Sequence, residues 1–307
     1  MSSLKQSTRT IALNTGDRIP AVGLGTWRSR PHEVQAAVEA ALRAGYRHVD
    51  TAAAYGNEAE VGAGIRASGV PRDRIWLTTK LDNPDHKDVA AALDRSLDRL
   101  GTEYVDLYLM HWPSSTVPGD RRSHYPDWDF RDTWREMQRL VGSGKVRNIG
   151  VSNFELTNLD KLLQDPGCKI IPAVNQVELH PGYPSPELVA FNASKGIHST
   201  GYSCLGSQDS PLYRSERLLR VAEAKDKTPQ QVLLMWGLQK GWSVIPKSVT
   251  PARIESNFQL DGWDLTEDEV RAIDGICEAE GSFKVCGDAW LPRRVFDRGL
   301  EEEKSKV

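Results

Sequence analysis

Tyr46-Arg47-His48-Val49-Asp50-Thr51-Ala52-Ala53-Ala54-Tyr55-Gly56 reads as the end of a short buried strand running into a tight connection. Val49 stands between polar neighbours, an acid closes the strand, and small residues follow. A tyrosine arrives five residues after the acid, and a helical stretch near residues 58–67 comes next. The stretch is one strand–loop–helix unit with a carboxylate and a phenol on its connection. Asp50 and Tyr55 are expected to be two parts of one catalytic site.

The same order repeats on both sides of it. Upstream, residues 9–19 alternate around Asn14-Thr15-Gly16-Asp17 and predict a β-hairpin. Residues 20–26 predict a buried strand whose glycines let something approach the backbone closely. Residues 31–44 predict a helix, with Val34, Ala37, Val38 and Ala41 on one stripe and Gly45 as the stop. Downstream, strands are expected at 75–79, 104–109, 146–151, 172–177, 197–202 and 242–245. The helices expected after them lie at 88–100, 130–142, 155–164, 185–194, 214–225 with 228–239, and 251–258. With the strands near 20–26 and 46–50, that makes eight strands alternating with helices, which implies a parallel sheet. Eight such units in about 250 residues fit a closed barrel better than an open sheet. After a helix at 266–276 the chain reads as irregular, with Gly281, Gly287, Trp290 and Pro292, and is expected to drape over the barrel mouth. Residues 301–306 read as a solvated tail.

Composition narrows the function. In 307 residues, 39% are hydrophobic, 26% are charged, and the net charge is −3. That balance gives no electrostatic footprint for nucleic acid or an anionic membrane surface. No apolar run is long enough to cross a bilayer, and residues 1–10 lack the apolar core of a secretion signal. Cys168, Cys204, Cys277 and Cys286 are dispersed, form no Cys-x-x-Cys pair and suggest no zinc site, so a reducing, cytoplasmic setting is expected. Nothing in the sequence demands a dimer, and a monomer is expected.

In a barrel of this kind, chemistry sits at the C-terminal ends of the strands. The polar residues expected there are Asp50, Lys80, His111, Ser152, Asn153, Gln176, Tyr202 and Lys247. Asp50, Lys80 and His111 follow three consecutive strands and so face one mouth, with Tyr55 on the loop between the first two. A tyrosine, with a reference pKa of about 10, is a weak acid at neutral pH. A nearby ammonium is expected to lower that value, and a carboxylate can hold the ammonium in place. Such a phenol can protonate a forming alkoxide, and a histidine beside it can orient a carbonyl oxygen. This is apparatus for carbonyl reduction by hydride, provided that a nicotinamide is present.

These residues resemble the aldo-keto reductase family over most of the chain. The matching segments are Gly23-Leu24-Gly25-Thr26-Trp27, Asp50-Thr51-Ala52 through Tyr55 to Asn57-Glu58, and Leu109-Met110-His111-Trp112-Pro113. Residues 150–154, residues 175–181, Tyr202-Ser203 and residues 245–248 also match. The resemblance implies a (β/α)8 TIM barrel, with residues 1–307 as one domain. It implies Tyr55 as general acid, Lys80 and Asp50 as its tuning pair, and His111 as the carbonyl-orienting residue. It also implies that Tyr202 stacks on the nicotinamide and that Ser152, Asn153 and Gln176 hold its carboxamide. Thr26, Trp27, Asp50, Ser203, Leu205, Ser207 and Asn257 are implied along the rest of the cofactor. Lys247, Ser248 and Arg253 match the positions that hold an adenosine 2′-phosphate, which favours NADPH over NADH. Two positions depart from the pattern. Ser256 stands where many members carry glutamate, which puts the adenine contact in doubt. Cys204 stands where proline is usual, so its loop is expected to close more loosely.

Trp27 and Trp112, beside Tyr55 and His111, are expected to wall an apolar pocket for a small carbonyl substrate. The loop 114–130 and the tail 281–292, with His124, Tyr125, Trp128 and Trp290, are expected at its rim. Two other readings compete. One is a regulatory protein that holds the cofactor on the same scaffold without turnover; the other is a metal-dependent hydrolase using His48, Asp50 and His111. Lys80 would oppose a cation there, and no His-x-His or carboxylate cluster completes a ligand set, so no metal is expected. Gly62-x-Gly64-x-x-Ala67 looks like a dinucleotide fingerprint but falls inside an expected helix. No Tyr-x-x-x-Lys occurs, which argues against a short-chain dehydrogenase.

Overall fold

The structure is a computed structural model that describes residues 7–286, with the backbone alone at positions 121 and 122. Its strands are β1 (Thr10–Ala12), β2 (Arg18–Pro20), β3 (Leu24–Gly25), β4 (His48–Asp50), β5 (Trp76–Leu81) and β6 (Val105–Met110). Then come β7 (Thr116–Val117), β8 (Asp120–His124), β9 (Val146–Ser152), β10 (Val174–Glu178), β11 (His198–Tyr202) and β12 (Ser243–Val244). Eight of them pair in parallel in the order β3-β4-β5-β6-β9-β10-β11-β12. Parallel bridges Val22–Val244 and Gly25–Lys247 then join the first strand to the last. Gly23 N donates to Val244 O at 2.9 Å, and Gly25 N donates to Pro246 O at 3.1 Å, closing the ring into a (β/α)8 barrel.

The glycines of β3 and its approach make that closure possible. A Cβ on Gly25 would lie 2.8 Å from Ile245 O, and one on Gly23 would lie 2.7 Å from the His48 ring. The approaching groups foreseen for these glycines are therefore the last strand and a barrel histidine. At the opposite end, β1 and β2 form the expected antiparallel hairpin. Thr15 Oγ1 donates to Asn148 Oδ1 at 2.6 Å and Asn14 Nδ2 donates to Pro172 O at 3.0 Å. Leu13 and Ile19 pack with Trp76, Leu107 and Val174, so the hairpin plugs the base.

The helices are α1 (Pro31–Arg43), α2 (Glu58–Ser68), α3 (Val89–Leu100), α4 (Phe130–Arg139), α5 (Leu156–Gln164) and α6 (Pro186–Ser194). They continue as α7 (Glu216–Lys225), α8 (Pro229–Gln239), α9 (Pro251–Phe258), α10 (Glu267–Asp274) and α11 (Ile276–Glu280). Pro31 starts α1, and Val34, Ala37, Val38, Ala41 and Leu42 are buried along one stripe. Gly62 and Gly64 belong to α2. A Cβ on the first would lie 2.0 Å from Leu100 O, and one on the second 2.6 Å from Gln35 O. Their function is close packing of α2 against α1 and α3, not phosphate binding.

Three expectations need correction. The stretch 114–130 is not an unbroken loop: β7 and β8 pair in it as a hairpin, turning at Gly119 (φ 83°). The helix expected at 266–276 is two helices, divided at Gly275. Residues after 276 are not wholly irregular, since α11 occupies 276–280. Gly287, Trp290, Pro292 and residues 301–306 lie outside the described residues.

Candidate active site

Asp50 closes β4, Lys80 lies near the end of β5, and His111 follows β6 directly. The register sets Gly25 beside both Asp50 and Lys247, so these strand ends share one rim. Between Asp50 and α2 the chain makes one 3-10 turn, Ala53–Tyr55, ended by Gly56 at φ 67°. That turn aims the Tyr55 side chain back over the barrel mouth. Asn57 fixes it from below: its Nδ2 donates to Thr26 O and to Ser29 O, both at 3.1 Å. Glu58, also buried, accepts from Thr79 Oγ1 at 2.5 Å and pairs with Arg99 at 2.6 Å. The Asn57-Glu58 pair thus ties the loop to β3 and β5, a positioning task not foreseen from its sequence.

The centre of the site is the Lys80 ammonium, whose side chain is 1% exposed. It donates to Asp50 Oδ1 at 2.5 Å, to Thr51 O at 2.9 Å and to Tyr55 Oη at 3.3 Å. All three of its protons are therefore engaged. Asp50 is held from its other side, where Gln176 Nε2 donates to Oδ2 at 2.7 Å, and Thr26 Oγ1 donates to the Asp50 carbonyl at 3.0 Å. Burial pulls the ammonium pKa down, but the charges and hydrogen bonds of Asp50 and Tyr55 more than reverse this, so the net direction is up.

Tyr55 differs from expectation. Burial raises its phenol, the Lys80 charge lowers it, and the Asp50 charge raises it again; the net direction is upward from 10.0. The ammonium acts in the expected sense, but desolvation outweighs it. The imidazole of His111 lies 5.6 Å from the Tyr55 ring, at 73°. Burial, then the Lys80 charge and His86, hold its pKa well below 6.5, so the ring is neutral. Its Nδ1 is buried with no hydrogen-bond partner among the described residues.

Around this centre the polar groups of the mouth engage one another. Ser152 Oγ donates to Gln176 O at 2.8 Å, Asn153 Nδ2 donates to His111 O at 2.9 Å, and Tyr202 Oη donates to Asn153 Oδ1 at 2.7 Å. Asn153 (φ 63°), Ser203 (φ 48°) and Arg28 (φ 57°) take left-handed backbone conformations just beyond β9, β11 and β3. Non-glycine residues in that region cluster at sites where the chain is held against its preference. Further round the rim, Ser248 and Asn257 are buried, whereas Lys247 and Arg253 at the start of α9 are exposed with no acidic partner among the described residues. Leu205 is half-buried and Ser207 exposed in the loop after β11, with Cys204 buried between them and Tyr202. Burial pushes the Cys204 thiol up to about 12.

The expected pocket walls differ in character. Trp112 is 4% exposed, whereas Trp27 is 37% exposed with the Arg28 guanidinium 4.3 Å above its ring. His124 Nε2 lies 2.7 Å from Ser114 Oγ, and Lys87 stands over both Tyr125 and Trp128. Trp290 lies outside the described residues. His48 does not turn toward the mouth as a ligand: its nitrogens lie 3.2 Å from Pro20 O and 3.2 Å from Thr78 Oγ1. Among the described residues, no three His, Cys, Asp or Glu side chains are arranged to hold a metal ion. No helix among them is long and apolar enough to cross a membrane.

A closed parallel barrel with a buried Asp–Lys–Tyr cluster and a neutral histidine at its mouth defines the class. The profile of the Aldo/keto reductase family matches residues 21–278, and the chain belongs to that family. It is 43% identical to the glycerol 2-dehydrogenase (NADP(+)) of Saccharomyces cerevisiae, covering 96% of this chain and 99% of that protein. It is 42% identical to the aldehyde reductase YPR1 of the same yeast, again covering 96% and 99%. The crystal structure of a Bombyx mori aldo-keto reductase in complex with NADP superposes with a TM-score of 0.81 at 39% identity, covering 87% of this chain and 92% of that one.

Proposed function

We propose that the protein reduces aldehydes and some ketones to alcohols with NADPH, Tyr55 acting as the general acid. The observation that carries this reading is the contact of Lys80 Nζ with both Asp50 and Tyr55 in a buried setting. Bound NADPH supplies the hydride. Tyr55 gives its phenolic proton to the carbonyl oxygen, and its raised pKa keeps that proton in place at neutral pH. Lys80, held by Asp50, which Gln176 holds in turn, stabilises the phenolate that remains. His111 has Nδ1 walled in, so Nε2 is the nitrogen that meets the carbonyl oxygen and orients it.

The dinucleotide reading rests on the chain's own donors. Lys247 and Arg253, exposed and without acidic partners among the described residues, stand with Ser248 at the start of α9. Two cations, a hydroxyl and a helix N-terminus suit a phosphomonoester. The NADP named for the yeast dehydrogenase and the silkworm structure supports NADPH. Gln176 meets Asp50, Asn153 meets the His111 carbonyl and the Tyr202 hydroxyl, and Ser152 meets Gln176, which supports these four as holders of the nicotinamide end. The glycerol and aldehyde named for the two yeast relatives support small carbonyl compounds as substrates.

The decisive experiment is Tyr55→Phe. Removing the proton donor should lower kcat at least ~100-fold, the usual worth of general acid catalysis, while NADPH binding, followed by fluorescence, stays within about twofold. Undiminished turnover in this variant would remove Tyr55 as the acid.

A further inference from the structure

Glu178 ends β10, on the strand next to Tyr202, and is 2% exposed. A carboxylate buried at a strand end is costly unless its oxygens are engaged. Here Oε1 accepts the backbone N–H of Val285 and lies 2.9 Å from His180 Nε2, while Oε2 accepts the backbone N–H of Cys286 at 2.7 Å. Two of these three partners are main-chain amides of the segment that follows α11. His180, itself fully buried, stacks its ring on Phe283 at 4.6 Å and 26°. Phe283 N donates to Gly182 O at 3.1 Å, and a Cβ on Gly182 would lie 2.2 Å from the Phe283 ring. Lys284 Nζ lies 3.6 Å from Glu155 Oε1 and 4.7 Å from the centre of the Tyr183 ring. The segment is thus seated by its backbone on one carboxylate and by its side chains on either side of it. Its last described residue, Cys286, is half-buried with its thiol in hydrogen-bonding reach of the Tyr202 hydroxyl.

We propose that Glu178 is the clamp that seats residues 283–286 across the barrel mouth, making it a positioning residue for the wall that Cys286 forms beside Tyr202. Backbone amides bind the carboxylate whatever side chains they carry, so the clamp fixes the path of the segment. Phe283 against His180 and Gly182 fixes its register. The role in turnover rests on the carbonyl-reductase reading above; the seating itself does not.

Two arms test this on the full-length protein. In Glu178→Gln the carboxamide keeps one acceptor oxygen but turns a donor toward an amide donor, and Phe283→Ala removes the register contact with Glu178 intact. Hydrogen exchange followed by mass spectrometry should show the amides of residues 283–286 exchanging at least ~10-fold faster in both variants, since a charge-assisted bond to a carboxylate is among the stronger ones. The amides of β10 should be unchanged. With NADPH, KM for a short aldehyde such as glyceraldehyde should rise about tenfold and kcat should stay within about twofold, as loss of positioning without loss of the acid requires. An aromatic aldehyde, which carries more of its own contact area, should lose less. Unchanged exchange at 283–286 overturns the clamp. Faster exchange with the two aldehydes affected equally overturns its role in shaping the mouth. A wild-type protein that turns over no aldehyde would bring down the reductase reading, and the exchange arm would still decide the clamp.

Discussion

Asp50→Asn and Lys80→Met, made singly and together, test the buried pair at the centre of the site. The two charged atoms are 2.5 Å apart and their side chains are 2% and 1% exposed. At an effective dielectric near 20, that separation corresponds to a gross attraction of about 7 kcal/mol. Desolvation of both ions offsets most of it, so the pair need not stabilise the fold strongly. Removing one partner is another matter, because the charge left behind stays buried; the expected cost is about 3–5 kcal/mol for each single variant. The double variant leaves no uncompensated charge. The introduced methionine would follow the path of the lysine stem, and the introduced asparagine could still meet Gln176 if that amide turns over. The expected loss is therefore only about 0–2 kcal/mol. Denaturant unfolding followed by the fluorescence of the nine tryptophans gives all four corners of the cycle. Losses that add to within ~0.5 kcal/mol would mean that the pair is not coupled, and the electrostatic account of the site would fall.

The pH dependence follows from the two shifted groups. With Tyr55 as the proposed acid, reduction needs the protonated phenol, and a pKa raised above 10.0 extends that form upward. His111, held well below 6.5, is neutral throughout. The reductive kcat/KM should therefore be level across neutral pH and fall only in the strongly alkaline range; a limb centred near neutrality would contradict this. Lys247→Ala with Arg253→Ala should raise the KM for NADPH at least ~10-fold, the effect of losing charge-assisted contacts to a phosphate, and barely change that for NADH. Equal effects on both cofactors would remove the phosphate-binding reading.

Much of the architecture was legible because hydrophobic periodicity and the βα alternation reflect burial directly. The convergence of Asp50, Lys80 and His111 followed from one residue per strand end, with no knowledge of side-chain direction. What stayed hidden depended on partners distant in sequence. The sign of the Tyr55 shift depends on how deeply the mouth is buried, which no local pattern encodes. Asp50 is held by Gln176, 126 residues away, and Glu178 is satisfied by amides 107 and 108 residues downstream. Backbone donors leave no trace in residue identity, so the clamp could be suspected only from an acid between apolar neighbours and a histidine two residues on. The β7–β8 hairpin was missed because its strands are short and polar, although Pro118-Gly119 marks its turn. The Asn57-Glu58 pair was visible as a motif, but its tethering of β3 and β5 was not.

The union of Val22 with Val244 also bears on how the polypeptide is made. A nascent chain must extend 222 residues past Val22 before the partner that completes its ring exists. At ordinary elongation rates that is on the order of tens of seconds. Until then, any sheet begun at the first strand has an open edge there. An edge of two residues, Leu24 and Gly25, is too short to offer a neighbouring chain many backbone partners. The brevity of the strand on which the finished ring closes therefore also limits what its unfinished rim can recruit.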